Sequence, residues 1–221
     1  MPGLVMLVIL FDLEGTIVKT KLESSTTRFR QQTRRTLIEL GIPEEALREI
    51  ETSTLMRNKA REYVNNNFTL KQAKQFHRKL DQFLEPWEMG AARTSKLYAH
   101  AISTLRELKN QGYKMGIITN TSTKAANHIL KRYRLTEYFD LVITRNHVEK
   151  LKPAPEGILL ALRRLDAKNF ILIGDLSYDA KATKKAGGKS IIIRRTSCDS
   201  LEADYVVHSL QQIPSLIRQI T

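Results

Sequence analysis

Four short clusters of carboxylate, hydroxyl, amide and ammonium groups carry the chemistry open to this chain. The first is Val8–Thr16, VILFDLEGT, where an apolar run ends in Asp12 and Glu14 follows two residues later. A carboxylate straight after a buried strand is costly unless it serves a metal or a reaction. Asp12 and Glu14 are placed to supply a metal ligand, a nucleophile and an acid/base at the C-terminal end of a strand. That edge is where open α/β sheets carry their active sites. A plain strand followed by a glycine turn reads the same way. The second cluster follows Met115, Ile117 and Ile118 with Thr119, Asn120, Thr121 and Ser122. Hydroxyl and amide groups hold phosphate oxygens without adding charge, and Thr121 or Ser122 also suits a helix cap. The third is Lys152, in KLKPAPE, ahead of a helix carrying Ile158, Leu159, Leu162 and Leu165. The fourth is a strand, Phe170–Ile173, that ends in Gly174 and Asp175, with Asp179 four residues on. Carboxylates at the start of a helix also complement its dipole.

Each cluster alone has a structural explanation. Together they fall at strand-to-helix junctions in the order Asp/Glu, Thr, Lys, Asp/Asp. In this the sequence resembles the haloacid dehalogenase superfamily of phosphatases, phosphotransferases and dehalogenases. Asp12-Leu13-Glu14-Gly15-Thr16 is similar to its first motif, D-x-D-G-T/V. Thr119 matches the second, Lys152 in a K-P-x-P-E setting the third, and Gly174, Asp175 and Asp179 the fourth, G-D-x-x-x-D. The resemblance spans the chain apart from about residues 17–90. One position departs: Glu14 stands where most family phosphatases have Asp, so its carboxyl lies one methylene further out.

The resemblance implies a set of roles. Asp12 attacks phosphorus and forms an aspartyl phosphate. Mg²⁺ is held by Asp12, the Glu14 carbonyl and Asp175, with Asp179 ligating or orienting a water. Thr119, Asn120 and Lys152 bind the phosphoryl group, and Glu14 serves as acid and base. The expected substrate is a small phosphorylated metabolite, as for phosphoglycolate phosphatase-like members. A phosphotransferase such as a sugar phosphomutase, and a binding or regulatory protein weakened by Glu14, are the alternatives. The acidic residue at 14 and the Asp175/Asp179 pair count against a dehalogenase.

The elements that must position these groups are legible in the periodicity. Residues 4–11 read as a buried parallel strand. Residues from about 17 to 90 then read as helical: about 22–40, about 43–65 and 69–85. The last carries Ala73, Phe76, Leu80, Phe83 and Leu84 at helical spacing. Thr69 with Gln72 reads as a capping box. From about residue 94, strands near 114–118, 139–143, 170–174, 190–193 and 204–207 alternate with helices, the pattern of a parallel sheet covered on both faces. The fold class expected is α/β, a Rossmann-like doubly wound parallel sheet with an inserted α-helical cap. The catalytic core takes residues 1–16 and 91–221 and the cap residues 17–90.

Composition narrows the function classes. The 221 residues carry a net charge of +13, which raises the question of nucleic acid. Lys and Arg outnumber Asp and Glu by 14 to 10 in residues 19–88 and by 22 to 11 in residues 89–221, so the charge is spread and forms no basic stripe. No specific nucleic-acid partner is expected, and anionic substrates fit the charge equally well. Four arginines of the insert that come close after the first motif, Arg28, Arg30, Arg34 and Arg35, are the candidates for selectivity. The one cysteine, Cys198, excludes an internal disulfide and reads as an incidental loop residue. The apolar start is too short to span a membrane and has no leader pattern, so a cytoplasmic protein with no membrane partner is expected. The oligomeric state has no signature in the sequence.

Overall fold

A computed structural model describes residues 7–20, 27–195 and 202–220. Those residues divide into two compact units, one of residues 21–94 and one of the remainder.

The larger unit is built on a six-stranded sheet, every neighbouring pair parallel. Its strands are β1 (Leu7–Phe11), β4 (Lys114–Ile118), β5 (Leu141–Ile143), β6 (Asn169–Gly174), β7 (Lys189–Ile193) and β8 (Tyr205–Val207). The remaining strands, β2 (Val18–Lys19) and β3 (Lys96–Leu97), form a separate antiparallel ribbon. In the sheet the order is β5-β4-β1-β6-β7-β8. The chain therefore leaves β1 toward one edge, crosses back past it, and continues to the other edge. β1 is the point where this direction reverses, and ligands of open α/β sheets bind at the strands' carboxyl ends at that point. Both neighbours hold β1 in register, Ile9 opposite Met115 on one side and Ile171 on the other. Val8 to Phe11 have no exposure at all, as a central strand covered on both faces requires.

Helices α4 (Ala101–Asn110), α5 (Thr123–Arg132), α6 (Glu156–Leu165), α7 (Ser177–Ala186) and α8 (Ile213–Ile220) connect or flank these strands. Ile158, Ala161, Leu162 and Leu165 of α6, at spacings of three and four, pack with Val8, Leu10, Ile118, Ile143, Phe170 and Leu172 of the sheet. The side chain of Ser122 accepts from the amide of Ala125 and caps α5.

The smaller unit holds α1 (Thr27–Glu39), a 3₁₀ turn at Glu44–Leu47, α2 (Ser53–Asn67) and α3 (Leu70–Thr94). Its own core joins Phe29 and Leu37, Met56, Ala60 and Val64, and Phe76, Leu80 and Leu84. Thr69 and Gln72 make the two reciprocal bonds of a capping box before α3. The segment with clear helical spacing, 69–85, belongs to a longer helix: α3 runs through Pro86 to Thr94. A proline removes one helical hydrogen bond, but the buried stripe continues through Glu88, Ala91 and Ala92, and packing carries the helix past it. The helical unit starts and ends slightly later than residues 17–90 because β2 and β3 pair with each other at its root. Two-residue strands are too short to leave a periodic signal. Among the described residues no helix is long and apolar enough to cross a membrane. Cys198 lies outside the described residues.

Candidate active site

β1 delivers Asp12. Its amide continues the ladder by donating to the Ile173 carbonyl at 2.8 Å, so the residue leaves the sheet with its backbone still fixed. A tight turn follows: the amides of Ile17 and Val18 both donate to the Leu13 carbonyl, and the amide of Gly15 donates to the Val18 carbonyl. Gly15 has φ +89°, and a Cβ at that position would overlap the Asp175 carboxylate. Both its left-handed backbone and its lack of a side chain are therefore required. The Thr16 hydroxyl donates to Asp175 Oδ1 at 3.3 Å. Glu14 is partly buried and bridges through its backbone to Val18.

The Lys152 ammonium is the centre of the site. It is 5% exposed and donates to Asp12 Oδ1 at 2.6 Å, Asp179 Oδ1 at 2.7 Å and the Ile118 carbonyl at 2.8 Å. An ammonium has three protons, and these contacts use all of them. The backbone of Lys152 is held as firmly. The Asn120 side-chain amide donates to its carbonyl at 3.1 Å, and the side-chain oxygen accepts from its amide at 3.0 Å. The preceding loop is pinned by Glu156, whose two carboxylate oxygens accept from the amides of Glu149 and Lys150. The final glutamate of KPAPE thus sets the path of the chain into Lys152. Thr119 lies at the end of β4, buried, with its hydroxyl accepting from the Thr121 amide at 3.3 Å.

Asp179 closes the group. Its Oδ2 accepts from the amides of Asp175 and Leu176 at the start of α7, while Oδ1 takes the Lys152 bond. A Cβ on Gly174 would overlap the Asp179 side chain, so this approach also needs a glycine. Asp12, Asp175 and Asp179 each offer a carboxylate oxygen, all within 4.8 Å of one another. Burial pushes Asp12 up to about 6; Lys152 pulls it down and Asp179 pushes it up. Burial, with Asp12 and Asp179 close by, raises Asp175 to about 8, against the opposing pull of Lys152 and Arg195. Burial alone would lower Lys152, but Asp12 and Asp179 outweigh it and raise it further above its ordinary value.

The residues singled out in the sequence thus assemble at the carboxyl ends of β1, β4 and β6, and the structure adds detail that the sequence withheld. The Asn120 side chain is committed to the Lys152 backbone. Asp179 has both oxygens engaged by the protein. Arg195, which the sequence does not single out, donates to the carbonyls of Gly15 and Thr16. Its signal was positional: it follows β7, the neighbour of β6, on the same sheet edge as Asp12 and Asp175. In the helical unit, Arg34 donates to the carbonyls of Leu47 and Ile50, Arg35 pairs with Glu39, and Arg30 contacts the Glu51 carbonyl. Three of the four arginines considered for selectivity therefore have partners within their own unit.

Comparison with known proteins agrees with this geometry. The family described as haloacid dehalogenase-like hydrolase matches residues 9–193. Pyrophosphatase PpaX of Bacillus cereus (strain B4264) is 30% identical over 197 residues, covering 85% of this chain and 83% of that protein. PpaX of Bacillus mycoides (strain KBAB4) is 32% identical over 130 residues, which cover 56% of this chain and 60% of the relative. PpaX of Bacillus thuringiensis (strain Al Hakam) is 39% identical over 101 residues, covering 45% of this chain and 47% of the relative. In these last two relatives the match therefore spans only about half to three-fifths of their length. Among solved structures, a HAD phosphatase from Thermococcus onnurineus superposes with TM-score 0.60 at 27% identity, covering 96% of this chain and 98% of that one. A predicted phosphoglycolate phosphatase from Haemophilus somnus 129pt shares the fold, with TM-score 0.63 at 18% identity over 97% and 99% of the two chains. With its sheet order, its four clusters at the switch point and these matches, the chain belongs to the haloacid dehalogenase-like hydrolase family.

Proposed function

We propose that this protein is a Mg²⁺-dependent phosphatase that hydrolyses a small phosphorylated metabolite through an aspartyl phosphate on Asp12. The observation that carries this reading is the charge balance around Lys152. Three carboxylates meet one ammonium in a buried space. Fully ionised, the group holds two negative charges in excess, the charge that one divalent cation offsets. All-oxygen donors suit Mg²⁺, and the Gly15 backbone against Asp175 leaves those oxygens unobstructed by a side chain. Asp12, Asp175 and the Glu14 carbonyl would hold the ion. Asp179, with both oxygens engaged by the protein, would orient Lys152 and a water. Bound there, Mg²⁺ would offset the charge of the phosphate and polarise a phosphoryl oxygen.

The chain's own residues supply the remaining steps. Lys152 holds Asp12 Oδ1, which leaves Oδ2 to attack phosphorus as a nucleophile. An Asp12 oxygen–phosphorus bond forms as the bond to the leaving oxygen breaks, and Glu14 donates a proton to that oxygen. Glu14 then takes a proton from the water that cleaves the aspartyl phosphate, and inorganic phosphate leaves. Thr119 stands at the end of β4 to hold the phosphoryl group, and Lys152 offsets charge from within the carboxylate cluster. The helical unit corresponds in this reading to the family's cap domain. The relatives named pyrophosphatase make pyrophosphate a substrate to screen beside phosphoglycolate.

Asp12→Asn should lower p-nitrophenyl phosphate turnover by at least about 10³-fold while the thermal transition is retained, and chelation of the wild type should abolish activity that Mg²⁺ restores. Wild-type rates in the variant, or activity that survives exhaustive chelation, would refute the mechanism.

The raised carboxylates give a pH test. A carboxylate whose pKa is higher folded than unfolded contributes stability that is complete below the unfolded value, about 4, and is lost as pH rises through the folded value. For Asp12 and Asp175 that loss begins near the unfolded value and is complete above about 6 and about 8. The metal-free protein should therefore lose thermal stability between about pH 5 and pH 8.5, and added Mg²⁺ should raise the Tm more at the upper end, the range these shifts set. An equal Mg²⁺ effect at both ends would contradict the charge balance.

Glu14→Gln should cost about 10²–10⁴-fold on an alkyl phosphate, whose leaving oxygen needs a proton. The loss on p-nitrophenyl phosphate, whose leaving group departs unprotonated, should be smaller. Equal rates for wild type and Glu14→Gln on the alkyl phosphate would show that Glu14 is not the acid.

A further inference from the structure

We infer that Arg195 is a positioning residue for the metal site, holding the turn after Asp12 in place from the far side of β6. The inference rests on the metal-dependent reading above, and its test separates the two.

Arg195 follows β7 and is partly buried. Its Nη1 donates to the Gly15 carbonyl and its Nη2 to the Thr16 carbonyl, the second at 2.9 Å. The guanidinium carbon lies 3.5 Å from the centroid of the Tyr98 ring, within the range of a cation–π contact. The amide of Tyr98 in turn donates to the Ile17 carbonyl at 3.0 Å. Three successive carbonyls, of residues 15, 16 and 17, are thus held by one arginine and the residue it stacks on. The β2–β3 ladder extends to the Ile17 carbonyl, and the Gly15 and Thr16 carbonyls of the turn before it need partners of their own. A planar fork with two parallel donors matches two consecutive carbonyls, whereas a lysine offers a point charge.

The turn bears directly on the proposed ligands. Glu14, whose carbonyl is one of them, is joined by a peptide bond to Gly15. Gly15 sits so close to Asp175 that even a methyl group would overlap its carboxylate. Thr16 bonds that same carboxylate through its hydroxyl. A small displacement of the turn therefore moves the Glu14 carbonyl and disturbs Asp175 together. Groups that orient metal ligands without touching the ion typically govern affinity by 10–100-fold.

The experiment is a Mn²⁺ titration of the substrate-free full chain by calorimetry, on wild type, Arg195→Ala, Arg195→Lys and Tyr98→Leu. Thermal unfolding and p-nitrophenyl phosphate kinetics are followed in parallel. Arg195→Ala should bind Mn²⁺ at least about tenfold more weakly, with kcat reduced and KM for the ester little changed. Arg195→Lys should be intermediate, because it keeps the charge and loses the fork. Tyr98→Leu should weaken binding in the same direction by less. Wild-type Mn²⁺ affinity in Arg195→Ala, with or without a lowered Tm, would overturn the inference and leave Arg195 as fold support alone. Should Arg195→Ala fail to fold, wild-type affinity in a folded Arg195→Lys would overturn it equally. Should the wild type hydrolyse no phosphate ester, the functional reading fails while the Mn²⁺ titrations still decide the role of Arg195.

Discussion

The buried ammonium of Lys152 ties three segments of the chain together at one point. It reaches Asp12 at the end of β1, the carbonyl of Ile118 at the end of β4 and Asp179 on the first turn of α7. Transfer of a lone ammonium or carboxylate into the interior costs several kcal/mol after relaxation, and removal of one member of a buried pair typically costs about 3–5 kcal/mol. Each of these charges is therefore tolerable only because the others are present. The same contacts leave the site with an excess of negative charge, the property that calls for a divalent cation. Fold and chemistry make the same demand of this side chain, which is why it is held at its backbone by Asn120 as well as at its tip.

The sheet order makes that meeting possible. β1 lies between β4 and β6, so the strand ends that carry Asp12, Thr119 and Asp175 are neighbours although they are far apart in sequence. Parallel pairing puts all three carboxyl ends on one edge, and the register is fixed by strands whose apolar runs are buried on both faces. Two glycines then allow the approach that the charges require. Gly15 admits the Asp175 carboxylate and Gly174 admits Asp179. A side chain at either position would separate the groups that Lys152 and the proposed ion must bridge.

Much of this was legible in the sequence because the physical signals are local. A continuous apolar run that stops at an acid marks both a central strand and its functional end, and this signal recurs at Asp12 and Asp175. The family membership and the α/β architecture follow from four such junctions in order. What was not legible depends on tertiary partners. The two bonds from the Asn120 side chain to the Lys152 backbone join residues 32 apart. Arg195 reads as surface charge because nothing in its neighbours along the chain announces two carbonyls 180 and 179 residues away. The ribbon of β2 and β3 escaped notice because two residues carry no period.

That ribbon explains how a long helical insert can interrupt the chain so soon after Asp12. Val18 pairs with Leu97 and Lys19 with Lys96, and the Tyr98 amide meets the Ile17 carbonyl just before them. The insert is thus closed at its base by backbone hydrogen bonds that belong to the core unit. Loop closure grows in cost only slowly with length, and residues 21–94 have a hydrophobic core of their own. The conformation of residues 12–17 is set by Lys152, Arg195, Tyr98 and the sheet before the chain departs. It follows that the placement of Asp12 and of the proposed ligand carbonyl of Glu14 depends on contacts within one unit.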